Sequence, residues 1–473
     1  MNLVYNVKDK PSFGKILIFA FQQLLAILAA TIAVPAIVGH DLSPAAALFG
    51  AGAGTIVYLL FTRFKSPVFL GSSFAFLGSM SAAFAGAVSM QLGYFGLILG
   101  CIFAGLVYVV IALVVKFVGT EWIDKIMPAV VIGPTVAIIG LSLAGNAIGD
   151  VKGAGNILDV AGKVIGIEPV AMWLGILCGL VTLFVTIICS VFGGKIVKMI
   201  PFVIGIGAGY VLATIFTLTG AAKIVDFGKF ETMEWIPHFT FLQAIKFGEF
   251  QYGEFGGLGA YIASIAIAYV PVAFVVFAEH LADHKNLSSI IGQDLTKDPG
   301  LSNTLLGDGV GSMVGAFFGG AANTTYGESI ATVAISGNAS TITILCTAIM
   351  AIVASFIGPF ATFLSTIPSC VMGGVCIALY GFIAVSGLKM IQKVDLGDNR
   401  NLFVVSTILI AGVGGFVLNI GKVTLTAVAV ALILGIIVNV ICSIGKEKEE
   451  PKKSLDQQYN EEVASEENKE QEA

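Results

Sequence analysis

Long apolar runs alternate along the chain with short polar segments, and the runs are continuous where the strands of a membrane barrel would alternate residue by residue. Taking about 20 residues per crossing, the pattern predicts fourteen spans once shorter, glycine-interrupted segments are admitted. They cover residues 13–37, 45–62, 67–84, 91–116, 126–145, 169–192, 199–219, 257–282, 300–319, 323–337, 340–364, 369–388, 401–418 and 424–444. Backbone in lipid must satisfy its own hydrogen bonds, so the expected fold is an all-α polytopic membrane protein.

Two spans depart from the pattern. The third begins at Pro67 and runs Gly71-Ser72-Ser73-Phe74-Ala75-Phe76; the tenth runs Asn323-Thr324-Thr325-Tyr326-Gly327-Glu328. Both read as two hydroxyl residues, an aromatic and a small residue. Such sequences weaken a helix, and broken backbone at membrane depth is tolerated where it lines a protein-enclosed cavity. A matching pair in the two halves of a chain points to inverted repeats with a site at the midplane. Seven spans per repeat, an odd number, place the halves in opposite orientations.

Composition sharpens this. Hydrophobic residues make up 57% and charged residues 12%, with a mean hydropathy of +0.94. A soluble enzyme, a nucleic-acid binder and a disordered scaffold are thereby excluded. Residues 446–473 hold five lysines and ten carboxylates, so the net charge of −5 resides in a polar tail expected to be disordered. With the N-terminus in the cytoplasm, fourteen lysines and arginines before the tail fall inside and six outside, which favours that orientation and cytoplasmic placement of both termini. The seven cysteines show neither zinc-like nor disulfide-like spacing and read as small core residues.

Glu279, Asp308 and Glu328 interrupt apolar spans, and Asp283 lies one turn beyond Glu279 near the expected cytoplasmic end of its span. A charge at the bilayer centre costs about 2.5–3.5 kcal/mol on insertion scales, so such groups serve a ligand or a proton path by default. Buried carboxyls can exchange protons and accept hydrogen bonds from a ligand's N–H groups, the chemistry of a proton-coupled site for a small polar solute. Asp308, between Gly307 and Gly309, reads equally well as a support holding nearby backbone N–H groups. His280 and His284 share a helix face, but Glu279 precedes the pair and no third ligand is evident, so no metal is expected and His284 is placed at the cytoplasmic interface. Gly319, Gly320, Gly373 and Gly374 read as close-packing residues.

From Asn323 to Glu328 the sequence resembles the nucleobase-ascorbate transporter family, and within it the uracil permeases. Gln22-Gln23-Leu24-Leu25-Ala26, Leu70 to Phe76, Ala278-Glu279-His280, Asp298-Pro299-Gly300-Leu301, Pro368 with Val371 to Gly374, and Leu379-Tyr380-Gly381 extend the likeness in family order across residues 13–444.

The resemblance implies two inverted seven-span repeats, with short strands in spans 3 and 10. It divides the chain into an N-terminal segment (1–12), a core domain (13–118 and 255–366), a gate domain (119–254 and 367–445) and the tail (446–473). Carried over by position, Glu279 accepts from ring N–H groups, the backbone amides of Phe74 and Gly327 donate to two carbonyls, and Glu328 completes the polar ring. Ala30, Tyr326 and Tyr380 would line the pocket, with Gln23, Asn323 and Asp308 supporting it. Glu279, Glu328 and Asp283 are the expected proton-coupling groups. The solute so implied is uracil, imported with protons by a homodimer in a bacterial cytoplasmic membrane, without cofactor and without enzymatic activity. Glu328 resembles the pyrimidine carriers, whose purine-transporting relatives more often have glutamine there; a purine permease of the same family is the nearest rival, and an anion transporter of similar architecture is the next. Ser329, Ala331, Ser336 and Gly337 depart from the family signature, as do Asp283 and Gln23, where some relatives have histidine.

Overall fold

The computed structural model describes residues 3–158, 164–420 and 423–444; the tail at 446–473, and Lys163 and Lys422 of the charge count, lie outside the described residues. The chain starts with α1 (Phe13–Val38) and α2 (Pro44–Phe61), then β1 (Leu70–Ser72), a 3-10 turn at Phe74–Phe76 and α3 (Leu77–Ala83). Next come α4 (Met90–Val118), α5 (Glu121–Ile126), α6 (Ala129–Ser142), α7 (Ala144–Lys152) and a hairpin of β2 (Asn156–Leu158) and β3 (Val164–Ile167). α8 (Pro169–Phe192), α9 (Pro201–Leu218), α10 (Thr240–Ala244) and α11 (Leu258–Ile291) precede α12 (Leu301–Gly319), β4 (Asn323–Thr325) and α13 (Gly327–Ser336). The chain continues through α14 (Thr341–Ser355), α15 (Gly358–Thr366), α16 (Ser369–Ile391), α17 (Asn399–Val413), the hairpin β5 (Leu418–Ile420) and β6 (Val423–Leu425), and α18 (Ala427–Ser443).

Among the described residues, eight helices are long and apolar enough to cross a membrane, or nine if the bent pair α14–α15 is one crossing; Phe74–Ala83, α17 and α18 are shorter apolar helices. Their limits follow local chemistry. Ser43 starts α2, its hydroxyl accepting from the Ala46 N–H at 3.2 Å with Pro44 in the first turn. Ser89 opens α4 through Leu92 N–H in the same way. Large apolar side chains such as Phe117, Phe192 and Leu218 remain exposed on the outer helix faces, the kind of apolar surface that membrane contact would cover.

The interior is held by small residues. Gly307, Gly311, Gly315 and Gly319 recur once per turn on α12, and a methyl group added to Gly50 or Gly54 of α2 would strike the Gly315 or Gly311 carbonyl. The two backbones therefore touch, a packing available to membrane helices only through such residues. Gly105 and Gly309 bring α4 against α12 in the same way.

Several expectations are corrected. The segment 340–364 is not one straight helix: it bends by 84° between Ser355 and Gly358, where Pro359 lies in the first turn of α15. The span predicted to end at residue 282 runs on to Ile291, because the polar residues beyond it find partners inside the protein. His284 is accordingly 1% exposed and held inside the protein: its Nε2 lies 2.7 Å from Tyr58 Oη and its Nδ1 2.8 Å from the His280 carbonyl oxygen. Gly320 is not a packing residue alone; it ends α12 in the left-handed conformation, with φ +76°. The span pattern predicts no strands at either hairpin, and β5 and β6 begin where the spans 401–418 and 424–444 meet. Residues 4–7 also form backbone bonds to 337–341, including Val4 N–H to Gly337 O at 2.8 Å, and the Ser340 hydroxyl donates to the Asp9 carbonyl at 2.7 Å, which ties the N-terminal segment to the end of α13.

Candidate functional site

β1 and β4 meet antiparallel, Leu70 opposite Thr325, Gly71 opposite Thr324 and Ser72 opposite Asn323, so the two interruptions satisfy each other's backbone. Position 71 must be glycine because the Tyr326 ring lies where a side chain would go. Tyr326 then donates its hydroxyl to the Ser72 carbonyl at 2.8 Å. Side chains from neighbouring helices fix both strands. Leu70 N–H donates to Thr55 Oγ1 at 2.9 Å, Asn323 Nδ2 donates to the Gly50 carbonyl at 3.1 Å, and the Ser312 hydroxyl donates to the Asn323 carbonyl. Gln23 Nε2 donates to Ser329 Oγ at 2.5 Å, and that oxygen also accepts from Phe69 N–H at 3.1 Å. Two of the departures from the family signature, Gln23 and Ser329, are thus hydrogen-bonded to each other.

Each strand leads directly into a helix start, the 3-10 turn at Phe74 and α13 at Gly327, and neither has a side-chain cap among the described residues. The first N–H groups of a helix lack intrahelical partners and carry its positive end. Both starts border a cavity of about 370 Å³, also lined by Glu279 and Asp283 of α11, Glu328 of α13, Tyr326 and Phe74. That volume lies near the small end of the roughly 300–1,000 Å³ range of ligand pockets. Asp283 is not free: Thr325 Oγ1 donates to its Oδ2 at 2.7 Å. Away from the strands the cavity continues past Asn286 to Lys198 and Lys389.

The other residues singled out in the sequence lie further off. Ala30 and Tyr380 do not border the cavity; Ala26, one turn earlier on α1, does, and the Tyr380 ring reaches the site through an edge-on contact with Phe74 at 5.3 Å. Asp308 sits behind α11, its Oδ2 2.7 Å from His280 Nδ1, while His280 Nε2 lies 3.0 Å from Thr304 Oγ1. Its partner is therefore an imidazole and not the neighbouring backbone. The two histidines stack at 3.9 Å and each is engaged by neighbours of this kind, an arrangement of core side chains.

Sequence reasoning missed a set of hydroxyls. Ser72, Ser73 and Thr324 belong to the cavity wall, and their buried hydroxyl oxygens have no partner among the described residues. The doubled hydroxyl residues in each broken span were the signal, read there only as helix breakers. Chemically the site offers backbone donors, carboxyl acceptors and unclaimed hydroxyls around an aromatic wall. It can hold a small, flat, uncharged molecule that has both N–H and carbonyl groups.

A polar cavity enclosed by long apolar helices defines a multi-pass membrane protein. The fold is similar to that of the transmembrane domain of the cyanobacterial bicarbonate transporter BicA (TM-score 0.58, 16% identity, 91% of this chain and 97% of that one). It is likewise similar to the murine anion transporter Slc26a9 in its inward-facing state (TM-score 0.63, 12% identity, 92% and 69%). At sequence level, residues 14–421 match the xanthine and uracil permease model, described as "Permease family". The chain belongs to that permease family. Its relatives include the proteins named uracil permease from Bacillus caldolyticus (37% identical over 93% of this chain and 94% of the relative), Bacillus subtilis (37%; 94% and 96%) and Escherichia coli K12 (33%; 91% and 92%).

Proposed function

We propose that this chain imports uracil together with protons by alternating access across a bacterial cytoplasmic membrane. In this reading the fourteen spans form two inverted seven-span repeats, divided into the core and gate domains delimited above. Both termini are cytoplasmic and the working unit is a homodimer. The observation that carries the proposal is the convergence of Glu279 and Glu328 with the helix starts at Phe74 and Gly327 on one cavity. Uracil presents two carbonyls and two N–H groups around a planar ring, so amides meet the former and carboxyls the latter. Three carboxyls in one cavity disfavour a bound anion, so the likeness in fold to anion carriers does not extend to the solute. The same three groups supply exchangeable protons beside the solute, which supports coupling. Gln23 and Asn323 serve by fixing α13 and β4, Asp308 by fixing His280, and Ala30 and Tyr380 by closing the site on the side away from Lys198. Since lysines are expected on the cytoplasmic side, the opening towards Lys198 and Lys389 makes this an inward-facing arrangement.

The test is uptake of labelled uracil into proteoliposomes with and without an inward proton gradient, with xanthine as competitor. Gradient-driven uptake is expected, insensitive to xanthine, with Glu279→Gln and Glu328→Gln each losing on the order of 10- to 150-fold in apparent affinity, the scale of a charge-assisted hydrogen bond. Xanthine transport in place of uracil would establish the purine rival.

A further inference from the structure

A second cavity, of about 600 Å³, lies at the opposite end of two helices that wall the first. α1 presents Ala26 to the inner cavity and Pro35 to the outer one; α16 presents Phe382 to the inner and Met372 to the outer. At about 1.5 Å per residue, the barrier between them is about 14 Å thick. Ala30 and Tyr380, 1% and 2% exposed, are part of it.

One buried carboxylate oxygen in this barrier, Asp150 Oδ2, has no partner among the described residues, while the Tyr380 hydroxyl lies beside the Cys376 thiol. Asp150, near the end of α7, borders the outer cavity, and its Cβ packs where a methyl on Gly373 would go. Cys376 and Tyr380 follow Gly373 on the same side of α16, both within electrostatic reach of the carboxylate. The Tyr380 ring in turn meets Phe74 at the wall of the inner cavity. Asp150, Cys376 and Tyr380 therefore lie in succession along one side of the barrier, from the outer cavity towards Phe74. The other charges of the outer cavity have uses of their own. Lys229 Nζ donates to the Ser365 carbonyl at 2.6 Å, Glu234 and His238 pair at 2.9 Å, and Asp41 is solvent-exposed. A carboxylate oxygen withdrawn from water without a donor is costly, so Asp150 calls for a donor in some state of the protein.

We propose that the outer cavity is a second binding subsite for the transported solute, in which Asp150 accepts a hydrogen bond from a ring N–H before the solute passes Tyr380. This rests on the reading of the chain as a carrier of a planar, N–H-bearing ring, and it repeats at the outer end the acceptor chemistry of Glu279.

Single cysteines placed at Ser365 on the outer cavity and at Ala331 on the inner one are labelled with a maleimide in permeabilised membranes, with uracil as protectant and the otherwise native chain as labelling background. Uracil is expected to protect both. Asp150→Asn should raise the uracil concentration for half-protection of Ser365→Cys about tenfold and leave that of Ala331→Cys unchanged, with Asp150→Glu restoring part of the loss. Retained protection at Ala331→Cys shows that the variant is folded. Absence of uracil protection at Ser365→Cys while Ala331→Cys is protected, or an equal shift at both cysteines, overturns the proposal. If uracil protects neither cysteine, the nucleobase reading has failed by itself, and the same pair of assays with xanthine decides the subsite separately.

Discussion

The two broken segments share a plan and differ in how firmly they are held. In the second, Asn323, Thr325, Tyr326 and Ser329 all have side-chain partners on other elements, and residues 4–9 pin the end of α13. In the first, Leu70 is anchored by Thr55, but the hydroxyls of Ser72 and Ser73, which border the cavity beside Phe74, have no partner among the described residues. One half is a scaffold that carries a carboxyl and leaves Thr324 alone with an unclaimed hydroxyl among its described residues; the other brings Phe74 and two unclaimed hydroxyls to the cavity. A solute with polar groups on every edge can then complete the hydrogen bonds of the first segment while the second stays in place.

Gly71→Val breaks this comparison at its joint. The added side chain must displace the Tyr326 ring, and overpacking of this kind costs about 1–3 kcal/mol. The expected result is a lower melting temperature in detergent together with loss of uracil binding, because the ring and the strand pairing move together. Unchanged binding would mean that the crossing of β1 and β4 does not set the site.

Gln23→Ala addresses the scaffold alone. It removes the donor to Ser329 Oγ, but that oxygen keeps Phe69 N–H, so the loss should be about 0.5–1.5 kcal/mol. The readout is thermal stability of the purified protein, with uracil affinity reduced less than tenfold. A collapse of transport without loss of stability would give Gln23 a direct role at the solute.

What the sequence revealed follows the physics of each feature. The apolar runs, the breaks at Gly71 and Asn323 and the intramembrane Glu279 and Glu328 were legible because each is a local departure from what lipid tolerates. The extension of α11 through His284 was not, since its polar residues are satisfied by Tyr58 from a segment over two hundred positions away. The bend between α14 and α15 did carry a mark, Gly358-Pro359, but the apolar run on either side of it reads as one continuous span. Ala30 and Tyr380 carried no mark of position at all; only the packed structure places them in the barrier and Ala26 at the cavity.

The smallest effect is also the most discriminating. Ser72→Ala removes a buried hydroxyl that has no partner among the described residues, and deleting an unsatisfied group leaves stability within about 0.5 kcal/mol or raises it slightly. If that hydroxyl is held in reserve for the solute, the variant should keep its melting temperature and bind uracil about three- to tenfold more weakly, as expected for one neutral hydrogen bond. The corresponding change on the anchored strand, Thr325→Ala, should do the reverse. It frees Asp283 from its donor and lowers stability, while the Ser72 hydroxyl remains available. Equal effects of the two variants on binding and stability would dissolve the distinction between scaffold and adaptable wall.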